Sequence, residues 1–425
     1  MSNLNGSMLP REFAALVGAD RVRPARGCEA EITGVVVEPQ NADELGAIVR
    51  KCEKDKITLA PIGAARTLVQ IRRTPVAIAV SLARMNRVVA YDPADMTIIA
   101  QAGITLGGLN RLAGAEGQRL PLDPPAPDTV TVGALIAGNK VGPLRLSEGT
   151  VRDLLIGIRF VGHDGRSVHG GGRVVKNVAG YDLMKVMSGS FGTLGVITEA
   201  AFKIRPIPPG YRLALAAFAT IEQAFAAADK AAQAAPLLHC EVLSRDLALR
   251  LGTEAEFAVL AGIAGGRAEL EHQSTLVANA LGDSSSLLAD TAAVAACERL
   301  RDAVPDDAVL AVQIAVVPAR LATQLAFARA FTGAEFRAHA QSGVAGLYLM
   351  GSPDSAQAIG ALAQWRELAH AAGGHLRVVA ARTDVRAAVA MFDRPPAPAL
   401  ALMGRLKAAF DPCAIFNPGC FIGGI

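Results

Sequence analysis

The chain has 425 residues, 51% hydrophobic and only 19% charged, with 42 Lys+Arg against 39 Asp+Glu for a net charge of +3. That length is enough for two or three domains, and the apolar fraction excludes a disordered chain. The near-balanced charge excludes a nucleic-acid binder driven by a concentrated basic face.

In chain order, Gly34–Glu38 is a predicted strand and Ala42–Lys54 a helix with Asn41 as its N-cap. Strands follow at Ile57–Pro61, Val76–Ser81, Arg87–Tyr91 and Thr97–Ala102, the last two joined by the Asp-Pro turn Asp92–Asp95. A helix is expected over Thr105–Ala115, then the proline cluster Pro121–Pro127, then a helix starting within Thr131–Gly138. Leu154–Val161 and Arg166–His169 flank Asp164-Gly165, a hairpin signal. Tyr181–Met187 reads as helical and Gly195–Ile204 as an alternating strand. Arg205–Gly210 (RPIPPG) is the clearest boundary. Beyond it, strand-like runs (Leu213–Phe218, Phe257–Ala261, Val309–Val317) alternate with alanine-rich helices (Ile221–Ala235, Ala268–Leu281, Ala319–Phe331), and Arg394–Pro398 closes this region. A last helix, Ala399–Phe410, leads into Asp411–Gly419 (DPCAIFNPG). No internal repeat is visible.

Four glycine-bearing loops punctuate the first half: Pro61–Thr67, Asp128–Gly142, Gly170–Gly172 and Gly189–Gly195. Glycine lets backbone approach a ligand and leaves N–H groups free to hold phosphate. The small residues Gly133, Ala134 and Ala137 are expected to bring a helix N-terminus against an anion. Neither G-x-G-x-x-G after the first strand nor a Walker motif is present. A nucleotide would therefore be held by several loops distant in sequence.

At this point the chain resembles a known family. Ala102–Pro125 and, at length, Thr131–Pro206 (TVGALIAGNKVG…KNVAGYDLMKVMSGSFGTLGVITEAAFKIRP) are similar to the FAD-binding domain of the p-cresol methylhydroxylase/vanillyl-alcohol oxidase flavoproteins. Within that superfamily Thr131–Pro206 resembles the smaller flavin subunit of bacterial glycolate oxidase, as does the tail Phe410–Ile425. The resemblance implies an α+β architecture. After an N-terminal segment, 1–33, comes a two-subdomain FAD-binding domain of p-cresol methylhydroxylase type at 34–206. An α/β sheet-and-helix cap domain follows at 211–395, and a C-terminal tail, 396–425, returns to the FAD domain. Pro61, Ile62, Gly63, Ala64, Ala65, Arg66 and Thr67 match the pyrophosphate loop, with Ala64 and Ala65 where glycines are usual. Pro127, Asp128, Thr129, Gly133, Ala134, Ala137 and Asn139 match a second flavin loop. Gly192, Thr193, Gly195, Val196 and Ile197 match the strand along the flavin. FAD is the implied cofactor, and non-covalent attachment is expected because Pro61–Thr67 holds no His, Cys or Tyr. The implied function is that of a flavin subunit oxidising glycolate to glyoxylate. Its implied partners are a larger FAD-containing subunit and an iron–sulfur subunit.

Oxidising a 2-hydroxy acid needs a base for the hydroxyl proton. The motif H-x-G-D-G-N-x-H found in larger relatives is absent, and no metal site is expected. His370 and His375 (HAAGGH) are separated by Gly373-Gly374 and would not share a helical face. The resemblance implies that Tyr181, otherwise a core tyrosine, lies near the flavin edge and makes it the catalytic candidate, with Lys176 and Asn177 on the same side; nothing in Tyr211–Pro395 claims the role of base. The isolated chain is therefore expected not to oxidise glycolate. A stand-alone FAD-dependent hydroxy-acid or alcohol oxidase, and a structural subunit with a vestigial FAD site, remain open readings.

Cys28, Cys52, Cys240, Cys297, Cys413 and Cys420 form no C-x-x-C pair and read as packed thiols, not a disulfide framework or cluster. Mean hydropathy is +0.32, yet no apolar run reaches the roughly 18 residues of a membrane span. The stretch Ala214–Ala235 is broken by Glu222, Asp229 and Lys230. The excess hydrophobicity points to a subunit interface. The start MSNLNGSMLPREF lacks signal-peptide character, so a cytoplasmic protein is expected, with any inner-membrane association made through the complex.

Overall fold

The computed structural model describes residues 8–64, 75–172, 180–303, 305 and 307–425. The first strands are β1 (Val22–Pro24), β2 (Val35–Val37), β3 (Leu59–Ile62) and β4 (Ile78–Ser81), forming one sheet in the order β1-β2-β4-β3. Both β2 and β3 run parallel to β4, and the connection from β2 to β3 is the helix Ala42–Asp55. Asn41 caps that helix, its side chain accepting from the Glu44 N–H at 2.9 Å. Leu45, Ile48, Val49 and Cys52 form its buried stripe.

Next come β5 (Val88–Asp92), β6 (Thr97–Gln101), the short β7 (Gln118–Arg119), β8 (Leu155–Val161), β9 (Ser167–Gly171), β10 (Val196–Lys203) and the short β11 (Arg205–Pro206). Five of them make an antiparallel sheet, β5-β6-β10-β8-β9, and β7 pairs with β11. The expected hairpin is the β8–β9 pair. Both sheets share one core, which includes Leu45, Leu59, Ile98, Phe160 and Phe202. The tail joins this core: Ile415 and Phe416 are buried in it, and the Leu59 N–H donates to Ile415 O at 2.8 Å.

From Tyr211 the chain builds β12 (Tyr211–Phe218), β13 (His239–Ser244), β14 (Phe257–Ala264), β15 (Ser286–Ala289), β16 (Leu310–Ala315), β17 (Ala334–His339), β18 (Val344–Leu349) and β19 (His375–Ala381). They form one sheet, β15-β12-β14-β13-β17-β18-β16-β19, with every pair antiparallel. Read inward from either edge, each half uses its strands in the order fourth, first, third, second. The sheet is thus a structural duplication about the β13–β17 pair. One face packs against the helices Ile221–Ala234, Arg267–Leu281, Pro318–Ala328 and Ser355–Ala371, with Phe225, Val277, Leu325 and Trp365 in the shared core. The other face carries the helix Asp290–Asp302 and a set of polar side chains.

Candidate active site

Two adjoining hollows are present, one within the first domain and one between that domain and the cap sheet. The first is a cleft where the end of β3, the helix Val132–Ala137 and the segment Phe191–Gly195 meet. Pro61, Ile62, Gly63, Ala64, Thr129, Gly133, Ala134, Ala137, Gly192, Gly195 and Ile197 line it, so the structure brings these sequence-predicted residues together. Ala65, Arg66, Thr67, Lys176 and Asn177 lie outside the described residues.

Other expected residues sit near the cleft without lining it. Asp128 forms an exposed ion pair with Arg111 at 2.5 Å. The Pro127 carbonyl accepts from Gly107 N–H at 3.0 Å. Thr193 donates its hydroxyl to Ser190 O at 2.7 Å. Val196 is buried in the core. Asn139 has φ +43° and a buried Oδ1 without a hydrogen-bond partner.

The glycines have a packing role within the cleft itself. A Cβ on Gly63 would stand 2.6 Å from Thr131 Oγ1, and one on Gly133 3.1 Å from Ala102 Cβ. They let the loops of the cleft close on one another. Gly195 has φ +149°, and a Cβ there would meet Val161 O at 2.9 Å and Phe160 Cδ2 at 3.0 Å. β8 alone therefore already constrains this position. The expected helix N-terminal anion site is also corrected. The N–H groups of Val132, Gly133 and Ala134 donate to Ile104 O, Ala102 O and Thr131 Oγ1, so the first turn has no amide left for a phosphate.

Tyr181 requires correction as well. It is 91% exposed and lines neither hollow. The helix begins only at Leu183, because the Asp182 side chain accepts from Lys185 N–H as N-cap, and Gly180 turns the chain at φ +87°. It is not a core tyrosine. His370 pairs with Asp393 at 2.8 Å at the end of its helix, His375 is exposed at the start of β19, and neither lines the hollows.

The second hollow, about 460 Å³, is of a size that suits small ligands. It shares Thr129, Val130, Gly138, Lys140 and Phe191 with the cleft and opens onto the cap sheet. Its sheet wall is a consequence of register. Arg337 of β17 faces Gly346 of β18, Gly346 faces Gln313 of β16, and Gln313 faces Arg377 of β19. Since alternate residues point to one face, this row and its neighbours His339 and Tyr348 all line the hollow. Gly346 is needed here because a Cβ would collide with the Tyr348 hydroxyl.

Sequence reasoning saw no clustered base candidate in the cap, and the structure brings a histidine and a carboxylate together there. His339 lies directly across from Glu241 of β13, with Nδ1 2.5 Å from Glu241 Oε1. Arg337 places Nε 3.9 Å from the other carboxylate oxygen, while its Nη1 donates to Leu300 O at 2.8 Å. Glu241 thus fixes the imidazole at Nδ1. His239, two residues before Glu241, is buried and pushed down to about 4 by its surroundings, so it is neutral. It sits 3.3 Å from Cys297, whose thiol burial pushes up to about 12.

Arg377 is the electrostatic anomaly. Burial lowers its pKa, and the nearby Arg145 lowers it further. Its Nε is buried without a hydrogen-bond partner, and among the described residues no carboxylate lies within ion-pair distance of it. A buried guanidinium without a counter-ion is costly unless an anion joins it.

Comparison with known proteins fits this geometry. Residues 33–171 match the family described as FAD binding domain, and residues 386–420 the C-terminal domain of FAD linked oxidases. The chain is 41% identical over 122 residues to glycolate oxidase subunit GlcE of Escherichia coli, covering 28% of this chain and 35% of that one. It is 32% identical over 190 residues to subunit GlcD of Bacillus subtilis, covering 44% and 40%. It is 34% identical over 194 residues to the mitochondrial D-lactate dehydrogenase (cytochrome) of Arabidopsis thaliana, covering 45% and 34%. The matches thus span well under half the length of each relative. Among solved structures, 4-ethylphenol oxidase from Gulosibacter chungangensis superposes with a TM-score of 0.72 at 16% identity, covering 99% of this chain and 97% of that one. An alkyldihydroxyacetonephosphate synthase gives 0.75 at 18%, covering 98% and 86%. These structures establish the fold across both domains. The apolar, small-residue cleft suits a planar ring system. Residues 33–171 thus carry an FAD-binding domain and residues 386–420 resemble FAD linked oxidases, within a fold shared with the solved structures, and FAD is the cofactor.

Proposed function

We propose that this chain is the FAD-binding subunit of a 2-hydroxy-acid dehydrogenase, of which glycolate oxidase is the first case to test. The observation that carries this reading is the uncompensated Arg377 in a hollow that also holds the His339–Glu241 pair and opens onto the flavin cleft. Arg377 is placed to hold the substrate carboxylate, a charge-assisted contact. With Nδ1 committed to Glu241, His339 has Nε2 to accept the hydroxyl proton, and Glu241 stabilises the imidazolium that results. Bound FAD supplies the acceptor for the hydride from the substrate carbon, leaving a 2-oxo acid. The cleft holds the flavin without covalent attachment, since Pro61–Ala64 carries no nucleophilic side chain.

Electrons then pass to an iron–sulfur partner, alongside a larger flavin subunit; the similarity to GlcD and GlcE supports this finer part of the reading. No helix among the described residues is long and apolar enough to cross a membrane. A stand-alone oxidase is the second reading, favoured by the same observation, because base and anion site belong to this one chain. Purifying the chain with its partners and counting flavin and iron per polypeptide separates the two. Iron in a co-purifying chain supports the complex; full turnover of the lone chain with oxygen supports the stand-alone oxidase. Acid precipitation should release all flavin to the supernatant, and flavin retained on the denatured chain would contradict non-covalent binding.

A further inference from the structure

Phe191 stands at the junction of the two hollows and lines both. Its backbone is left-handed, φ +52°, a conformation that is strained for a bulky residue and persists only when held from outside. Three contacts hold it. The Phe191 N–H donates to Ala137 O at 2.9 Å. The Phe191 carbonyl accepts from Asn417 Nδ2 at 2.6 Å. The ring packs against Phe392 of the cap and Phe421 of the tail, with centroids 5.5 and 6.0 Å away.

Asn417 is fully buried, and its own N–H donates to Leu59 O at 2.7 Å, in the strand that leads into the Pro61 loop. One tail residue therefore ties the two glycine-bearing walls of the cleft to each other. Ten residues earlier, Lys407 repeats the device. Its Nζ donates to Thr193 O at 2.7 Å and to Phe416 O at 3.1 Å, and pairs with Asp411 at 2.6 Å. Asp411 in turn accepts from the Ile415 and Phe416 N–H groups at 3.0 and 2.8 Å. Both clamps seize backbone carbonyls of the segment 191–195, and neither side chain lines the cleft.

We infer that Asn417 and Lys407 are positioning residues for the flavin. They act through the backbone of Phe191 and Thr193, and Asn417 holds Phe191 in the conformation that sets the passage between the flavin cleft and the cap hollow. This rests on FAD filling the cleft and is independent of the substrate assignment.

The test is titration of flavin-free full-length chain with FAD, followed by fluorescence, for Asn417→Leu, Lys407→Met, Phe191→Gly and Phe191→Gly/Asn417→Leu. A buried hydrogen bond to a strained loop predicts a rise of about tenfold or more in Kd for Asn417→Leu. Glycine takes the left-handed conformation without help, so the double variant should bind FAD no more weakly than Phe191→Gly alone. A merely structural role for Asn417 would not give that coupling. Lys407→Met keeps the proposal testable if Asn417→Leu does not fold, and it too should weaken FAD binding about tenfold. Wild-type Kd in either tail variant, or additive losses in the double variant, would overturn the proposal.

Discussion

His339 Nδ1 and Glu241 Oε1 lie 2.5 Å apart across the β13–β17 pair, although 98 residues of chain separate them. The contact sits at the centre of the duplicated sheet and on the wall of the hollow. If His339 accepts the substrate proton, His339→Asn should lower turnover by about 10²-fold or more with flavin content unchanged, the usual scale of general-base catalysis. Glu241→Gln should lower turnover while leaving the Kd for FAD unchanged. Normal steady-state rates in His339→Asn would remove it from the mechanism.

Arg377 separates function from stability. Removing a buried, uncompensated charge should leave the ligand-free protein as stable as before or more so. Arg377→Met should therefore keep or raise the thermal midpoint while raising KM for a 2-hydroxy acid about ten- to a hundredfold. A large drop in midpoint with unchanged KM would show that Arg377 is structural.

The glycine loops and most strands were legible because glycine and proline punctuation survives in the sequence, as do caps such as Asn41 and the Asp-Gly hairpin. The cap hollow was not. Glu241, Gln313, Arg337, His339, Tyr348 and Arg377 come from five strands, as scattered polar residues of strand-like runs. In isolation such a residue is indistinguishable from a solvent-facing position. Only the order β13-β17-β18-β16-β19 places them on one wall. The duplication was hidden for the same reason, since it resides in strand order. Tyr181 was misread because the Asp182 cap starts its helix two residues later than the apolar pattern suggests.

Gly195 provides a test of the cleft's construction. Its φ of +149° and the proximity of Val161 O leave no room for a side chain. Gly195→Ala should cost about 1–3 kcal/mol of stability, and Gly195→Val should abolish FAD binding. A Gly195→Val protein that purifies with full flavin would show that the start of β10 can shift without harming the cleft.

Asp123 gives a pH signature. Burial raises its carboxyl from the ordinary 3.8 to about 7, against the Leu144 N–H and the charges of Arg337 and Arg119, which lower it. For a raised carboxyl, the stability contributed by the protonated form is complete below 3.8 and lost as pH rises through about 7. Asp123→Asn should remove that loss and make the protein more stable than wild type at pH 8, by at most about 4 kcal/mol. His239 works in the opposite sense: held near 4 against an ordinary 6.5, it costs stability as pH falls between those values. Urea melts of the two proteins from pH 4 to 8 test the sign; curves that stay parallel across that range would contradict it.

The most direct test of the catalytic proposal is anaerobic mixing of the isolated, FAD-loaded chain with glycolate and with D-lactate in a stopped-flow spectrometer. On the proposal that His339 is the base and Arg377 the anion site, the flavin absorbance should bleach with at least one of the two acids, and bleaching should be lost in His339→Asn and Arg377→Met. A flavin that stays oxidised with both acids in isolation, yet bleaches once the partner subunits are added, would contradict it and assign substrate oxidation to the partner.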